Sequence, residues 1–234
     1  MPENRYFISQ ELKRKQTVTL EEKEHHHIFK VMSNTINYTI ELVNGEGQLA
    51  KAVITNIDKK QVDLEVLTVD TFPAPPPLTL AQAIPRLNRL DFILEKGTEL
   101  GMTSLWLFPG EKSEKTTISE TQLARFHSIL ISAMKQSGAL YLPRIEIKPP
   151  IKKWGSLPSH SCFGSLDINA TPLINEKGAS LIVIGPESGL TKGEESTLKK
   201  LGAKGVNLHK NILRTDTAAI CALSIMSQGL ETPK

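Results

Sequence analysis

Two segments near the C-terminal end of the chain hold the residues best suited to chemistry. Residues 181–195 contain Gly-Pro-Glu-Ser-Gly-Leu, and residues 207–219 contain Ile-Leu-Arg-Thr-Asp-Thr-Ala-Ala. In each segment a short apolar run, typical of a buried parallel strand, leads into a polar loop and then into a helical pattern. Two such units side by side build a ligand crevice at the carboxyl ends of their strands. We therefore predict a binding site there.

The loops lack the patterns of several common binding and catalytic sites. Neither the Gly-x-x-x-x-Gly-Lys-Ser/Thr phosphate cradle nor a Gly-x-Gly-x-x-Gly dinucleotide loop after a strand is present. A serine hydrolase elbow would place glycines two residues before and after Ser188, where the chain has Pro186 and Leu190. We do not expect Ser188 to be a nucleophile.

The elements that must position these loops form an alternating α/β pattern. Helical faces are predicted around Leu90 to Leu100, with Gly101 as the C-cap, and around Leu123 to Ser137. Short strands are predicted at 105–108 and near Ile145, Phe163 and Val183, and helices after Thr191 and Thr215. This alternation indicates an α/β domain.

A proline-rich stretch at residues 71–77 separates this region from the N-terminal part of the chain. Such a stretch favours extended, semi-rigid geometry and predicts a linker. Before it, residues 38–43, 49–57 and 62–69 read as strands separated by turn-like residues, and residues 21–32 as a short helix. These elements suit a small β-barrel.

Composition is compatible with a nucleic-acid partner without requiring one. The chain has 234 residues, a formal charge of +3 and a pI near 8.8, which is mildly basic. Cys162 and Cys221 lack the spacing of a metal site or a disulfide framework and suit a reducing cytosol. The N-terminus lacks a signal-peptide layout and no apolar run is long enough for a membrane span. We expect a soluble, cytoplasmic protein.

The two C-terminal motifs resemble the paired signatures of the RsmE-type 16S rRNA uracil-N(3) methyltransferases, members of the SPOUT superfamily. The same family pattern is visible upstream in residues 81–86, 96–101, 111–113 and 136–138. The resemblance implies an α/β fold with a PUA-like, RNA-binding β-barrel at 1–71, a linker at 72–77 and a trefoil-knotted SPOUT methyltransferase domain at 78–234. It also implies a homodimer, an S-adenosylmethionine cofactor, no metal, and 16S rRNA or the small ribosomal subunit as partner.

The resemblance also carries site residues onto this sequence. The expected donor pocket comprises Leu166, Gly185, Pro186, Glu187, Gly189, Leu208, Ile212, Leu213, Arg214 and Thr217. In it, backbone groups would bind the adenine and amino-acid portions of the donor, and leucine side chains would wall the ring. Apart from the resemblance, RNA contacts are expected at Arg5, Arg14, Arg86 and Arg89. Arg86 and Arg89 follow a predicted strand end, which suits RNA or the partner subunit's site, and Arg14 lies in a basic run whose alternative is a solvated loop.

A base would help methylation of uracil N(3), because that nitrogen carries a proton that must leave. A cation beside the developing oxyanion would also help. Arg214 is the candidate cation, since a guanidinium keeps its charge and presents a fixed set of donors; the alternative is a contact to an RNA phosphate. Glu187, Glu194 and Asp216 are the candidate bases. Glu194 and Asp216 fall in predicted first helical turns, where a carboxylate also stabilises the helix dipole without any catalytic role.

Several residues depart from the family pattern. Ser188 and His209 stand where glycine is usual, and Asn211, Lys112 and Ala139 where arginine is usual. In the small domain, Ser33 also replaces an arginine. Two alternatives to the methyltransferase therefore stay open: a catalytically weakened homologue that binds RNA or the ribosome, and a methyltransferase with another RNA target. The run His25-His26-His27 is not expected to bind metal, because consecutive helical side chains point in different directions.

Overall fold

The computed structural model describes residues 4–21, 36–58 and 61–230. The chain divides into two compact units, the first comprising 1–74 with 131–142 and the second 75–130 with 143–234. The division after residue 74 falls inside the proline-rich stretch. That residues 131–142 group with the first unit was not anticipated from the sequence.

The first unit contains a five-stranded sheet with strand order β1-β3-β4-β5-β2. Its strands are β1 (Arg5–Phe7), β2 (Thr17–Glu21), β3 (Thr39–Val43), β4 (Gln48–Ile57) and β5 (Gln61–Thr71). Strand β1 pairs in parallel with β3, and the other pairs are antiparallel. Alternate residues of β4 and β5 point into one buried core, as the strand pattern predicts.

The three strands predicted in this unit are confirmed as β3, β4 and β5. Strands β1 and β2 were not predicted. The helix predicted for residues 21–32 lies outside the described residues, apart from Glu21, which ends β2. His25, His26, His27 and Ser33 also lie outside them.

The second unit is built on a seven-stranded, all-parallel sheet with strand order β10-β12-β9-β11-β6-β7-β8. Its strands are β6 (Thr79–Ala83), β7 (Ser104–Phe108), β8 (Arg144–Ile147), β9 (Ser161–Gly164), β10 (Thr171–Pro172), β11 (Leu181–Ile184) and β12 (Lys204–Asn207). All residues of β6 and β11 are buried, as expected for central strands of a parallel sheet.

The α-helices of the described chain are α1 (Leu87–Glu99), α2 (Glu120–Ser137), α3 (Lys192–Lys200) and α4 (Thr215–Gly229). Helix α1 buries Leu90, Ile93, Leu94 and Gly97 on one face. It ends as predicted: Gly101 has φ +83°, its N–H donates to Thr98, and the N–H of Met102 donates to the carbonyl of Gly97. This is a Schellman motif, in which glycine tolerates the left-handed conformation.

The strand order places the last strand between two earlier ones. Strand β12 lies between β9 and β10, and α4, which follows β12, contacts β11 and β6 in the middle of the sheet. The carboxyl ends of β9, β11 and β12 are therefore neighbours, and the loops that leave them meet at one edge of the sheet.

Candidate functional site

A cavity of about 360 Å³ lies at the carboxyl ends of β9, β11 and β12. Its volume falls in the usual range for small-molecule sites, about 300–1,000 Å³. The cavity is lined by Lys112, Gly164, Ser165, Leu166, Ile184, Gly185, Pro186, Glu187, Ser188, Gly189, Leu190, Glu195, Asn207, Leu208, His209, Asn211, Ile212, Leu213, Thr215 and Ala218. The two sequence motifs thus face one space, as their strand-loop-helix pattern predicted.

The first loop, residues 185–190, turns sharply at the end of β11. The N–H of Gly189 donates to the carbonyl of Pro186 at 2.9 Å, and Gly189 has φ +73° whereas Ser188 does not have a positive φ. A Cβ at Gly185 would lie 2.7 Å from the backbone nitrogen of Leu190. The tight turn therefore needs glycine at 185 and 189, and serine is compatible with position 188.

Helix α3 begins directly after this loop with a capping box. The N–H of Glu194 donates to the Thr191 hydroxyl at 3.1 Å, and the N–H of Thr191 donates to the Glu194 carboxylate at 2.8 Å. The other carboxylate oxygen of Glu194 accepts the N–H of Glu111 at 3.0 Å. Glu194 is buried, so both of its oxygens serve the local structure.

Glu187 lines the cavity and is held from the side of α1. One of its carboxylate oxygens accepts the N–H of Arg86 at 3.2 Å and lies 3.3 Å from a guanidinium nitrogen of Arg89. The side chains of Glu187 and Arg89 are 24% and 19% exposed. These contacts fix the carboxylate at the edge of the cavity.

Arg86 itself points to another partner. Its guanidinium makes a two-pronged contact with Glu114, at 3.1 and 2.8 Å. The hydrogen bonds and opposite charges raise the pKa of Arg86 and lower the pKa of Glu114. Both side chains are mostly exposed, so the pair adds little to stability.

Ser188 and Lys112, two of the departures from the family pattern, contact each other. The Ser188 hydroxyl donates to the carbonyl of Lys112 at 3.1 Å, and the Lys112 ammonium donates to the carbonyl of Ser188 at 3.4 Å. The two departures together join the first loop to the segment after β7.

The second loop brings apolar and polar groups to the opposite wall. His209 Nδ1 accepts the N–H of Asn211 at 3.0 Å, which shapes the backbone between β12 and α4. Ile212 is 82% exposed. Leu166, which the resemblance also predicts in the pocket wall, lies in the loop after β9 and is 73% exposed. The cavity is therefore open on its apolar side.

At the start of α4, the adjacent residues Arg214 and Thr215 occupy different environments. Thr215 lines the cavity, and its hydroxyl donates to the carbonyl of Gly185 at 2.7 Å. Arg214 is outside the lining; its guanidinium is exposed and donates to the Asp216 carboxylate at 3.2 Å. Thr217 is also exposed and outside the lining. Of the ten expected pocket residues, the cavity thus lacks Arg214 and Thr217.

Several lining residues were not anticipated from the sequence: Gly164, Ser165, Ile184, Leu190, Glu195, Asn207 and Ala218. Most of them flank expected residues by one or two positions, so proximity along the chain was the available signal. Thr215 was expected only to precede the last helix; it is the first residue of α4, whose N-cap, Arg214, makes no side-chain capping hydrogen bond.

The four arginines expected to contact RNA occupy different environments. Arg86 and Arg89 lie beside the cavity. Arg14 is exposed in the first unit. Arg5 pairs with Glu41 at 2.8 Å, and its side chain is 8% exposed, which leaves little of its guanidinium open to a phosphate.

Within residues 4–21, 36–58 and 61–230, no group of three or more histidine, cysteine or carboxylate side chains is arranged to hold a metal ion. In the same residues no helix is both long and apolar enough to cross a membrane.

Comparison with known proteins places both units. A family model described as an RNA methyltransferase domain matches residues 73–227, and one described as an RNA methyltransferase PUA domain matches residues 20–67. The chain is 30% identical to ribosomal RNA small subunit methyltransferase E of Aquifex aeolicus, over 77% of this chain and 82% of that protein. It is 26% identical to the Bacillus subtilis protein of the same name, over 97% of both.

A solved structure resembles the whole chain. The ribosomal RNA small subunit methyltransferase E of Neisseria gonorrhoeae, bound to S-adenosyl methionine, is 31% identical and superimposes with a TM-score of 0.86 over 97% of both chains. The alignment spans both units.

Proposed function

The chain belongs to the RNA methyltransferase family of ribosomal RNA small subunit methyltransferase E, and we propose that it transfers a methyl group from S-adenosylmethionine to N(3) of a uracil in 16S rRNA. The observation that carries this proposal is the cavity at the ends of β9, β11 and β12. It gathers eight of the ten residues expected for the donor pocket. A relative that superimposes over nearly the whole chain binds the same donor.

The lining of the cavity fits this donor chemically. Apolar side chains suited to the adenine ring come from three different loops: Leu166, Leu190, Leu208, Ile212 and Leu213. The donor carries positive sulfonium and ammonium groups, and the carboxylates of Glu187 and Glu195 also line the cavity. Negative charge in the lining favours binding of a cation. The backbone of the tight first loop is open to the ligand because Gly189 has no side chain.

S-adenosylmethionine, when bound, supplies an electrophilic methyl group, so the protein has to provide deprotonation and charge stabilisation at the uracil. We assign the base to Glu187, since it lines the cavity whereas Glu194 is used by the capping box. Arg214 stabilises the negative charge that develops on the uracil oxygen. Asp216 holds the Arg214 guanidinium, through the 3.2 Å contact, at the start of α4. Arg89, paired with Glu187, fixes the position of the base.

The exposed apolar edge of the cavity supports a homodimer. Leu166 and Ile212 are 73% and 82% exposed and line the same cavity, and exposed apolar side chains that are grouped together favour a partner surface. We propose that a second copy completes the site and that the RNA contacts include Arg14 of the PUA-like unit, with Arg86 and Arg89 beside the cavity. A ribosomal substrate places the enzyme in the cytoplasm.

The trefoil knot implied by the resemblance is also part of the proposal. The position of β12 between β9 and β10, with α4 returning to the middle of the sheet, supports it: the chain after β12 must pass beside the connection from β9 to β10. We assign residues 1–71 to RNA binding, 72–77 to the linker and 78–234 to donor binding and methyl transfer.

Calorimetric titration with S-adenosylmethionine and with its demethylated product tests the donor site. We expect saturable binding at micromolar concentrations with one site per chain. No binding at millimolar donor would favour the non-catalytic, RNA-binding alternative and would implicate Ser188 and His209. Transfer of labelled methyl to purified small ribosomal subunits, compared with large subunits as a control, then tests the RNA substrate.

A further inference from the structure

We propose that Gln82 is a positioning residue for the donor site, acting as a clamp that sets the distance between its two loops. This inference rests on the proposed function, because the loops it joins are those assigned to the donor. Gln82 lies in β6, opposite Ile184 of β11 in the sheet register. It does not line the cavity, and its side chain is 0% exposed.

The amide nitrogen of Gln82 lies within hydrogen-bond distance of three acceptors on different segments, which share its two N–H groups. It lies 3.2 Å from the carbonyl of Gly185, 2.9 Å from the hydroxyl of Thr215 and 3.0 Å from the carbonyl of Ala83. Gly185 opens the first donor loop and Thr215 opens α4 after the second. Both line the cavity. One side chain in β6 therefore links the two walls of the site.

The hydrogen-bond pattern fixes which way the amide faces. The Thr215 hydroxyl donates its only proton to the carbonyl of Gly185, at 2.7 Å. Its oxygen can then accept from Gln82, and the carbonyls of Gly185 and Ala83 can only accept, so the group facing these atoms must be the NH₂ and not the carbonyl oxygen. Gln82, Thr215 and Gly185 form a closed triangle of hydrogen bonds.

The unpaired carbonyl oxygen of Gln82 indicates that the main role of this side chain is not to stabilise the fold. The carbonyl oxygen of Gln82 is buried and has no hydrogen-bond partner within the described part of the chain. An unpaired buried acceptor is unfavourable for folding, and a methionine of similar shape would avoid it. The donor function of the NH₂ group is what a methionine could not replace.

Removal of Gln82 is therefore expected to affect the donor site more than the stability of the fold. If Gln82 is removed, the core should remain packed, but the start of α4 is then held against Gly185 only by the single Thr215 hydrogen bond. The two loops then sample a range of separations, and the donor must order them when it binds. Donor affinity should therefore fall more than stability does.

The test uses Gln82→Met, Thr215→Val and the double variant, with donor affinity measured by calorimetry and stability by thermal melting. We expect Gln82→Met to weaken the donor Kd about tenfold, which corresponds to one buried hydrogen bond of ordinary strength. The melting temperature should change little, because removal of the unpaired Gln82 oxygen offsets the loss of the NH₂ contacts. The two single changes should not add, because they break the same triangle. In turnover assays the KM for the donor should rise more than kcat falls.

Ser161→Ala is the matched control. The Ser161 hydroxyl is buried and donates to the carbonyl of Pro158 at 2.7 Å, at the amino end of β9 and away from the cavity. Its loss should lower the melting temperature and leave the donor Kd unchanged.

Three results would overturn the proposal. Unchanged donor affinity in Gln82→Met, with normal binding by the unmodified protein, would remove Gln82 from the site while leaving the proposed function intact. A drop in melting temperature with no change in donor affinity would show a purely structural role. No donor binding by the unmodified protein would overturn both the inference and the proposed function. Should Gln82→Met fail to fold, the donor affinity of Thr215→Val tests the same hydrogen bond from its acceptor side; unchanged affinity there would also overturn the proposal.

Discussion

Replacing Gly185 by alanine tests the geometry of the first loop directly. The added Cβ would lie 2.7 Å from the backbone nitrogen of Leu190, 2.9 Å from the carbonyl carbon of Gly189 and 3.1 Å from Leu190 Cγ. The two closest atoms belong to the backbone, so no side-chain rotation relieves the clash. Overpacking of this kind costs about 1–3 kcal/mol.

That cost appears either in the free energy of unfolding or in donor affinity. Strand β11 is buried along its length, whereas Ser188 in the loop is exposed, so we expect the loop to shift and the strand to stay. A shifted loop changes the shape of the cavity. The donor Kd should then weaken by about 5- to 150-fold, the equivalent of about 1–3 kcal/mol.

Calorimetric titration and urea unfolding measure the two quantities on the same protein. Gly155→Ala is the matched control, because a Cβ there meets nothing within 4 Å and Gly155 is not among the glycines of positive φ; both quantities should stay unchanged. If Gly185→Ala alters neither the donor Kd nor the free energy of unfolding, the close approach of Gly185 to Leu190 is wrong, and with it the account of the loop.

Three further changes have defined outcomes. Arg214→Ala should lower the rate of methyl transfer about 10²- to 10³-fold, as for other lost oxyanion contacts. The donor Kd should stay unchanged, because Arg214 lies outside the cavity lining. Single-turnover rates that match the unmodified protein would exclude Arg214 from the mechanism. Thr191→Ala removes the capping box of α3 and should lower the free energy of unfolding by about 0.5–2 kcal/mol, read from urea denaturation; an unchanged midpoint would argue against the cap. Burial raises the pKa of the Cys162 thiol to about 11. Below the unfolded thiol pKa of about 8.5, the contribution of this thiol to the free energy of unfolding should therefore be fully present. That contribution should fall as the pH rises from there towards about 11. Urea unfolding of Cys162→Ser beside the unmodified protein isolates this slope, and equal slopes would contradict it.

Local patterns predicted much of the second unit. The C-cap at Gly101, the helix after Thr191 and the strand that leads into the first donor loop depend on residues close together in sequence, and all appear in the structure. Glu194 illustrates how far such reasoning goes: its place in a first helical turn indicated a structural role, and the capping box supplies one.

Contacts between distant parts of the chain were not predictable in the same way. The hydrogen bonds from Gln82 span 103 residues to Gly185 and 133 residues to Thr215, and no periodicity encodes them. Strands β1 and β2 have only three and five residues, too few for alternation alone to identify them, and their pairing depends on partners in β3 and β5. The separation of Arg214 from Thr215 at the cavity also depends on the orientation of one helical turn, which the sequence motif alone leaves open.

Nucleoside analysis of methylated RNA tests the central claim most directly. Small ribosomal subunits lacking the modification would be incubated with the protein and S-adenosylmethionine, and their 16S rRNA digested and separated with mass detection. We predict one new nucleoside, 3-methyluridine, together with a reverse-transcription stop at a single uridine, because a methyl group on N(3) blocks the base-pairing edge. A methyl group on another base or on a ribose, or no methylation by a protein that binds the donor, would contradict the account.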